Sequence, residues 1–193
     1  MKQSITNNMA IVKDKPDIPE VYQNTPIERL ILHHNMGFLP DSYQRAEMLV
    51  LMCMDSRQVL RLPRNFAFVV RNSGGSQNGV PFSISFAIAV GEIRHMAVIG
   101  HSDCMMVNLE TRKKDFVQNL SERFKWERSE AEILFLNMCT QFGKRDAISS
   151  VIAEVEFIRS QYPGVIVAPL FYSIEDHLLY LIEEEPCWVP VQK

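Results

Sequence analysis

Met48-Leu49-Val50-Leu51-Met52-Cys53 is a continuous apolar run with no polar residue at alternate positions. A strand with one wet face alternates apolar and polar residues. An unbroken run therefore reads as a strand buried on both faces, as in a parallel sheet covered by helices. Phe66-Ala67-Phe68-Val69-Val70 and Met96-Ala97-Val98-Ile99-Gly100 repeat the pattern, the former leading into Arg71-Asn72-Ser73-Gly74-Gly75 and the latter into His101. A fourth strand starts at Val165–Ala168 and runs toward Tyr172. A turn at Ser173–His177 then returns the chain as Leu178–Ile182 in a hairpin. Helical patterns lie between the strands, at Pro81–Ile93 and over much of 105–160, with breaks near Lys113-Lys114-Asp115, Lys125 and Gly143. Thr25-Pro26 is an N-cap followed by proline at the first helical position, opening a helix to about His34 that Gly37 and Pro40 close. Such alternation predicts an α/β fold: a mostly parallel β-sheet, four parallel strands plus an antiparallel edge strand, flanked by helices. Residues 26–193 are expected to form one domain, and the polar stretch 1–25 a weakly structured arm that dangles or lies on another surface.

Composition narrows the function classes. At 193 residues the chain suits a single core, and 47% hydrophobic with 22% charged residues is ordinary for a soluble globular protein. A net charge of −3 gives no reason to expect nucleic acid or an anionic membrane as partner. The first twenty residues hold no apolar core of signal-peptide length, and no run of membrane-spanning length occurs, so a cytoplasmic location is expected. Four cysteines are too few for a disulfide scaffold, and in a reducing compartment paired thiols more often bind metal.

In open α/β sheets, sites gather at the carboxyl ends of strands. Cys53 ends the first predicted strand, Arg71 the second and His101 the third, so three polar or metal-binding groups converge on one rim. Zinc takes thiolate and imidazole ligands tetrahedrally, and a catalytic site supplies three and leaves the fourth position open. Cys53, His101 and Cys104 meet that count, and His-x-x-Cys lets two ligands share one turn. Either cysteine alone is better read as a buried core thiol; with His101, all near strand ends, the metal reading outweighs it. Asp55 and Arg57 lie just beyond Cys53. An arginine can clamp a carboxylate bidentately, lowering its pKa and fixing its direction. Asp55 could then accept a hydrogen bond from a metal-bound water and align it, or swing in as a fourth ligand and shut the site. The competing reading is an ordinary surface salt bridge.

Cys-x-Asp-Ser-Arg at 53–57, Phe-Val-Val-Arg-Asn at 68–72 and Val-Ile-Gly-His-Ser-x-Cys at 98–104 together resemble the β-class carbonic anhydrases, over roughly residues 26–182. The resemblance implies a four-stranded parallel core extended by a fifth strand, an N-terminal helical arm clasping a partner subunit, and an active site at the dimer interface. It makes Cys53, His101 and Cys104 zinc ligands and Asp55–Arg57 the catalytic dyad. It also matches Gln44 to a substrate-bonding glutamine and Phe68 to an aromatic lining the same narrow pocket; otherwise these are a surface glutamine and a core phenylalanine. The implied reaction is reversible hydration of carbon dioxide to bicarbonate by zinc-bound hydroxide, zinc lowering the pKa of its water toward neutrality as in the three-histidine carbonic anhydrases. Two anionic thiolates should leave that water less acidic than three imidazoles would. His33, His34, His95 and His177 are the remaining candidates for a proton shuttle, each better read as structural or solvated.

Several residues depart from the family pattern. Met105-Met106 follow Cys104 where the family has glycine, which predicts a crowded or reshaped pocket. Phe86 stands where plant-type members carry a pocket tyrosine, removing one hydroxyl. Leu170 and Ser173–His177 replace a more glycine-rich hairpin. A more apolar pocket admits a carbonyl sulfide or carbon disulfide hydrolase as an alternative, and a non-catalytic zinc-binding paralogue, acting as a binding or regulatory subunit, as a third reading. The apolar helix around Phe82–Ile93 is hard to cover within so short a chain, and with the resemblance it predicts a homodimer or a multiple of dimers. Cys139 and Cys187 stand outside the scheme as buried or incidental thiols.

Overall fold

The computed structural model describes residues 9–38, 42–142 and 146–184; Pro40, Gly143 and Cys187 lie outside the described residues. Its elements are β1 (Met9–Ile11), α1 (Pro26–Met36), β2 (Met48–Cys53), β3 (Ala67–Asn72), α2 (Pro81–Ala89), β4 (His95–His101), α3 (Lys113–Phe124), α4 (Arg128–Phe142), α5 (Ala147–Gln161), β5 (Ile166–Tyr172) and β6 (Leu179–Ile182). The six strands form one sheet in the order β1-β6-β5-β4-β2-β3. Strands β3, β2, β4 and β5 are mutually parallel, while β6 runs antiparallel to β5 and β1 antiparallel to β6. The four parallel strands and the hairpin are those the apolar runs predict.

The unbroken runs reflect a sheet covered on both faces. Met48, Val50 and Met52 of β2, with Ala97, Ile99, Ala168 and Leu170, pack under Ile27, Leu30 and Ile31 of α1. The alternate residues Leu49 and Leu51, with Met96, Val98 and Val167, pack under Ile84 and Ala87 of α2 and Val151, Val155 and Ile158 of α5. Successive side chains of one strand thus serve two cores, leaving no polar position on β2. Each fully buried aliphatic chain there contributes about 1.5–3 kcal/mol of transfer free energy. At Gly100 the approach of α5 is so close that an added Cβ would lie 2.5 Å from Cγ2 of Val151. Helix α1 opens as expected, the Thr25 hydroxyl accepting the Ile27 N–H and Gly37 closing the helix at φ +76°.

The structure departs from expectation in four places. The second run is not buried on both faces. As the sheet's last strand, β3 leaves Phe68 and Val69 each 43% exposed. The hairpin strand β6 is not an edge, because β1 adds beyond it through Met9↔Ile182. Residues 9–25 also bury Val12, Ile18 and Tyr22 in the core of their own chain rather than dangling. Helix α2 stops at Ala89, short of Ile93: the Val90 and Gly91 amides both bond the Phe86 carbonyl, and Glu92 turns left-handed at φ +57°.

Candidate metal centre

The chain leaves β2 to form β3 on one side and later returns to form β4 on the other. This makes the carboxyl end of β2 the point where the winding reverses, and ligands of open α/β sheets sit at such points. The last ladder pair between β2 and β4 is Met52↔Ile99, so Cys53 and His101 emerge side by side just beyond it. The following turn, in which Asp103 is left-handed (φ +55°), returns Cys104 to them. Side-chain ligand atoms of Cys53, His101 and Cys104 all lie within 4.8 Å of one another.

Each of the three is prepared as a donor. Nδ1 of His101 lies 2.9 Å from the Ser102 carbonyl, which only accepts, so the proton belongs on Nδ1 and the lone pair on Nε2. That Nε2 is buried and has no hydrogen-bond partner. The Cys53 thiol is pushed well below its ordinary value, chiefly by Cys104 and further by the Asp55 and Gly74 amides, against the opposing effect of burial. Cys104 is pushed up by the Cys53 thiol and by burial, while the Met106 amide works the other way. A cation seated among the three would meet two sulfurs and one imidazole nitrogen. Two sulfurs and one nitrogen form a donor set that suits zinc, and Nε2 otherwise stays unsatisfied; the residues fit the ion.

Arg57 grips Asp55 through two N–H groups, Nε to Oδ1 at 3.0 Å and Nη2 to Oδ2 at 2.7 Å. This bond holds the Asp55 carboxyl far below the usual carboxylate range. Arg57 also reaches the other ligand turn, Nη1 to the Asp103 carboxylate at 2.7 Å and Nη2 to the Asp103 carbonyl at 3.0 Å. Arg71, expected on the rim, instead braces the first turn from below, donating to the carbonyls of Cys53, Asp55 and Gln58 at 3.0, 2.9 and 2.8 Å. The loop carrying Gly74 is tied to α5 by Glu154, which accepts from the Ser76 hydroxyl and the Gln77 amide. Gly75 in that loop sits at φ +68°, where a Cβ would meet the Met52 and Cys53 backbone at 3.1–3.2 Å. Sequence reading missed Arg71 as a brace, Asp103, Glu154 and the sulfur-directed amides. The Arg-Asn ending of β3 was the one visible signal.

Other expected residues fall elsewhere. Gln44 is exposed ahead of β2. Phe68 pairs with Leu49 while Cys53 pairs with Asn72, four residues on, about 13 Å along the strand. Phe86 is half exposed on α2, beside Phe82. Within one chain, none of the three therefore sits on the Cys53–His101–Cys104 cluster. Met105 does not crowd the centre: it points to solvent, 63% exposed, without a left-handed backbone, and it is Met106 that lines the adjoining cavity of about 30 Å³. His34 has both ring nitrogens engaged, with the His177 carbonyl and the Arg61 amide, and is structural. His177 is joined to the Tyr172 hydroxyl.

Residues 48–165 match the family described as Carbonic anhydrase. "Beta carbonic anhydrase 1" of Caenorhabditis elegans and of Caenorhabditis briggsae are each 38% identical over 77 residues, a stretch covering 29% of this chain and 27% of either relative. The chain thus matches about a quarter of the length of these curated relatives. Among solved structures, β-carbonic anhydrase isoform I from Trichomonas vaginalis superposes with a TM-score of 0.59 at 14% identity, over 87% of this chain and 100% of that one. The apo form of a carbon disulfide hydrolase superposes at 0.53 and 20% identity, over 82% and 85%. Likeness at such identities establishes the fold. No described helix is long and apolar enough to cross a membrane.

Proposed function

Because the chain belongs to the β-class carbonic anhydrase family, we propose that it interconverts carbon dioxide and bicarbonate, CO₂ + H₂O ⇌ HCO₃⁻ + H⁺, at a zinc ion held by Cys53, His101 and Cys104. The observation that carries the proposal is the clustering of these three donors within 4.8 Å, with the buried Nε2 of His101 unpartnered. Zinc held there would polarise a water and supply hydroxide at near-neutral pH.

The chain's own residues orient the reactants. Asp55 stays ionised and accepts a hydrogen bond from the attacking water, which aligns a lone pair toward the carbon of CO₂. Arg57 keeps that carboxylate directed and charged. Gln44, Phe68 and Phe86 act on the centre of a second copy, Gln44 as a hydrogen-bonding group for substrate and the two rings as an apolar wall. Two features support this arrangement: all three are on the surface, and the cavity that His101 and Cys104 line within one chain is about 30 Å³, room for roughly one water. The working enzyme is then a homodimer or a multiple of dimers, in a reducing, cytoplasmic setting where free thiols persist.

Carbon disulfide or carbonyl sulfide hydrolysis is the second reading. It is favoured by the loss of a pocket hydroxyl at Phe86 and by the likeness of fold to a carbon disulfide hydrolase. Stopped-flow hydration of CO₂ by zinc-loaded protein should exceed the buffer rate, and Asp55→Asn should lower it by at least about tenfold at unchanged zinc content. A rate no faster than buffer, with COS or CS₂ consumed, transfers the assignment to the second reading. Inertness toward all three leaves a non-catalytic zinc-binding subunit.

A further inference from the structure

We propose that Asp103 is a positioning residue for the centre: it holds the free edge of the Arg57 guanidinium and so fixes Arg57, and through it Asp55, to the turn that carries His101 and Cys104. The proposal rests on reading the centre as a metal site whose fourth position stays open.

A guanidinium presents five N–H donors in one plane. Here four are engaged, on two edges. Nε and Nη2 face Asp55; Nη1 and the second Nη2 hydrogen face the carboxylate and carbonyl of Asp103. Arg57 and Asp55 belong to the turn after β2, whereas Asp103 belongs to the turn after β4. The ladder joining those strands ends at Met52↔Ile99, and the Arg57–Asp103 contacts link the turns beyond it.

Exposure gives the link its purpose. The Arg57 side chain is 42% exposed, and an arginine paired only with a carboxylate two residues away would be held weakly by a local, solvated interaction. Acceptors from a second turn remove that freedom, because the plane can no longer rotate without breaking bonds on both edges. The carbonyl contact is available to any residue at 103, but the 2.7 Å contact to Nη1 needs a side-chain acceptor. Aspartate also tolerates the left-handed backbone of this position (φ +55°) better than most residues. With Arg57 pinned, Asp55 has a bidentate partner at a fixed place and no incentive to turn onto the metal.

The test uses the full chain carrying Co²⁺, whose visible spectrum reports anions that bind at the open position, with thiocyanate as the probe. Asp103→Ala should weaken thiocyanate binding by about threefold to tenfold, since a loosened Asp55 competes for that position. Asp103→Asn, which keeps a side-chain oxygen for Nη1, should recover much of the loss. Cobalt content should not move in either variant, and Asp103→Asn should also keep the melting temperature, since asparagine tolerates the left-handed backbone and the side chain is 82% exposed. A crystal structure of the alanine variant should have Arg57 displaced from Asp55. In CO₂ hydration the loss should fall on kcat and leave KM unchanged. Unchanged or tighter thiocyanate binding, or an Arg57 still seated on Asp55 in that structure, overturns the proposal. The anion titration and the crystal structure need no turnover, so a wild-type protein that fails to hydrate CO₂ defeats the carbonic anhydrase reading separately.

Discussion

Nε2 of His101 is a buried nitrogen with no hydrogen-bond partner, an arrangement that calls for an explanation, and a bound cation supplies one. Its Nδ1 is committed to the Ser102 carbonyl, so the ring can neither flip nor change tautomer without leaving a second atom unpaired. Cys104 supplies the soft donor from the same turn. Cys104→Ser replaces a thiolate by a hydroxyl that stays protonated near neutral pH, a poor zinc ligand. After dialysis against a chelator, wild-type protein should retain about one zinc per chain and the variant less than about a tenth of that, by elemental analysis. Wild-type retention in the variant would remove Cys104 from the ligand set. The clustering of these donors was legible because metal ligation would demand particular side chains at particular spacings. Arg71 and Glu154 were not, since both act through backbone groups that any sequence supplies.

At the scale of elements, the β5–β6 hairpin carries a charge pairing with a readable pH signature. The Tyr180 hydroxyl donates to the Asp176 carboxylate at 2.5 Å. Burial, with Asp176 beside it, pushes the tyrosine up to about 12. For Asp176, burial works upward, but the hydrogen bonds from Tyr180 and the Leu178 amide prevail and hold it below its usual range. A raised tyrosine contributes stability that is complete below its unfolded value near 10 and lost as pH rises toward 12. A lowered aspartate contributes stability present above about pH 4 and lost as pH falls. Tyr180→Phe should thus lower unfolding free energy by about 1 kcal/mol at pH 7, modest because Asp176 is exposed. In urea melts the gap from wild type should shrink at about pH 3 and again above pH 11. A gap constant across that range would sink the pairing. The hairpin itself could be read in advance because its apolar residues flank an obvious turn. The pairing of β1 with β6 could not, since three residues carry too short a pattern to separate a strand from an arm. Nor does an apolar run disclose whether its strand is central or terminal: β2 and β3 look alike in sequence, yet only β2 is covered on both faces.

For the whole molecule, what matters is the apolar surface that a single chain leaves bare. Phe82, Phe86 and Val90 recur every fourth residue along and just past α2, and are 78%, 50% and 64% exposed. The stripe continues onto β3, because the Phe68 ring lies 2.8 Å from where a Cβ on Gly91 would stand. A contiguous apolar surface at the sheet's terminal strand is what a second copy would cover, and a stable interface buries about 800 Å² per partner. The same face carries Phe68 and Phe86, so covering it and completing the pocket are one event in the proposed dimer. Wild-type protein should therefore sediment at micromolar concentration as twice the chain mass of 22.2 kDa, or a multiple of that. Phe82→Glu places a charge in the middle of the proposed contact and should shift the protein to monomer at unchanged zinc content, because all three candidate donors belong to one chain. CO₂ hydration should fall with the dimer fraction and return as protein concentration rises, which a fault in the metal centre itself would not do. A monomeric variant with full activity would place the whole pocket within one chain and leave the apolar stripe without a catalytic role.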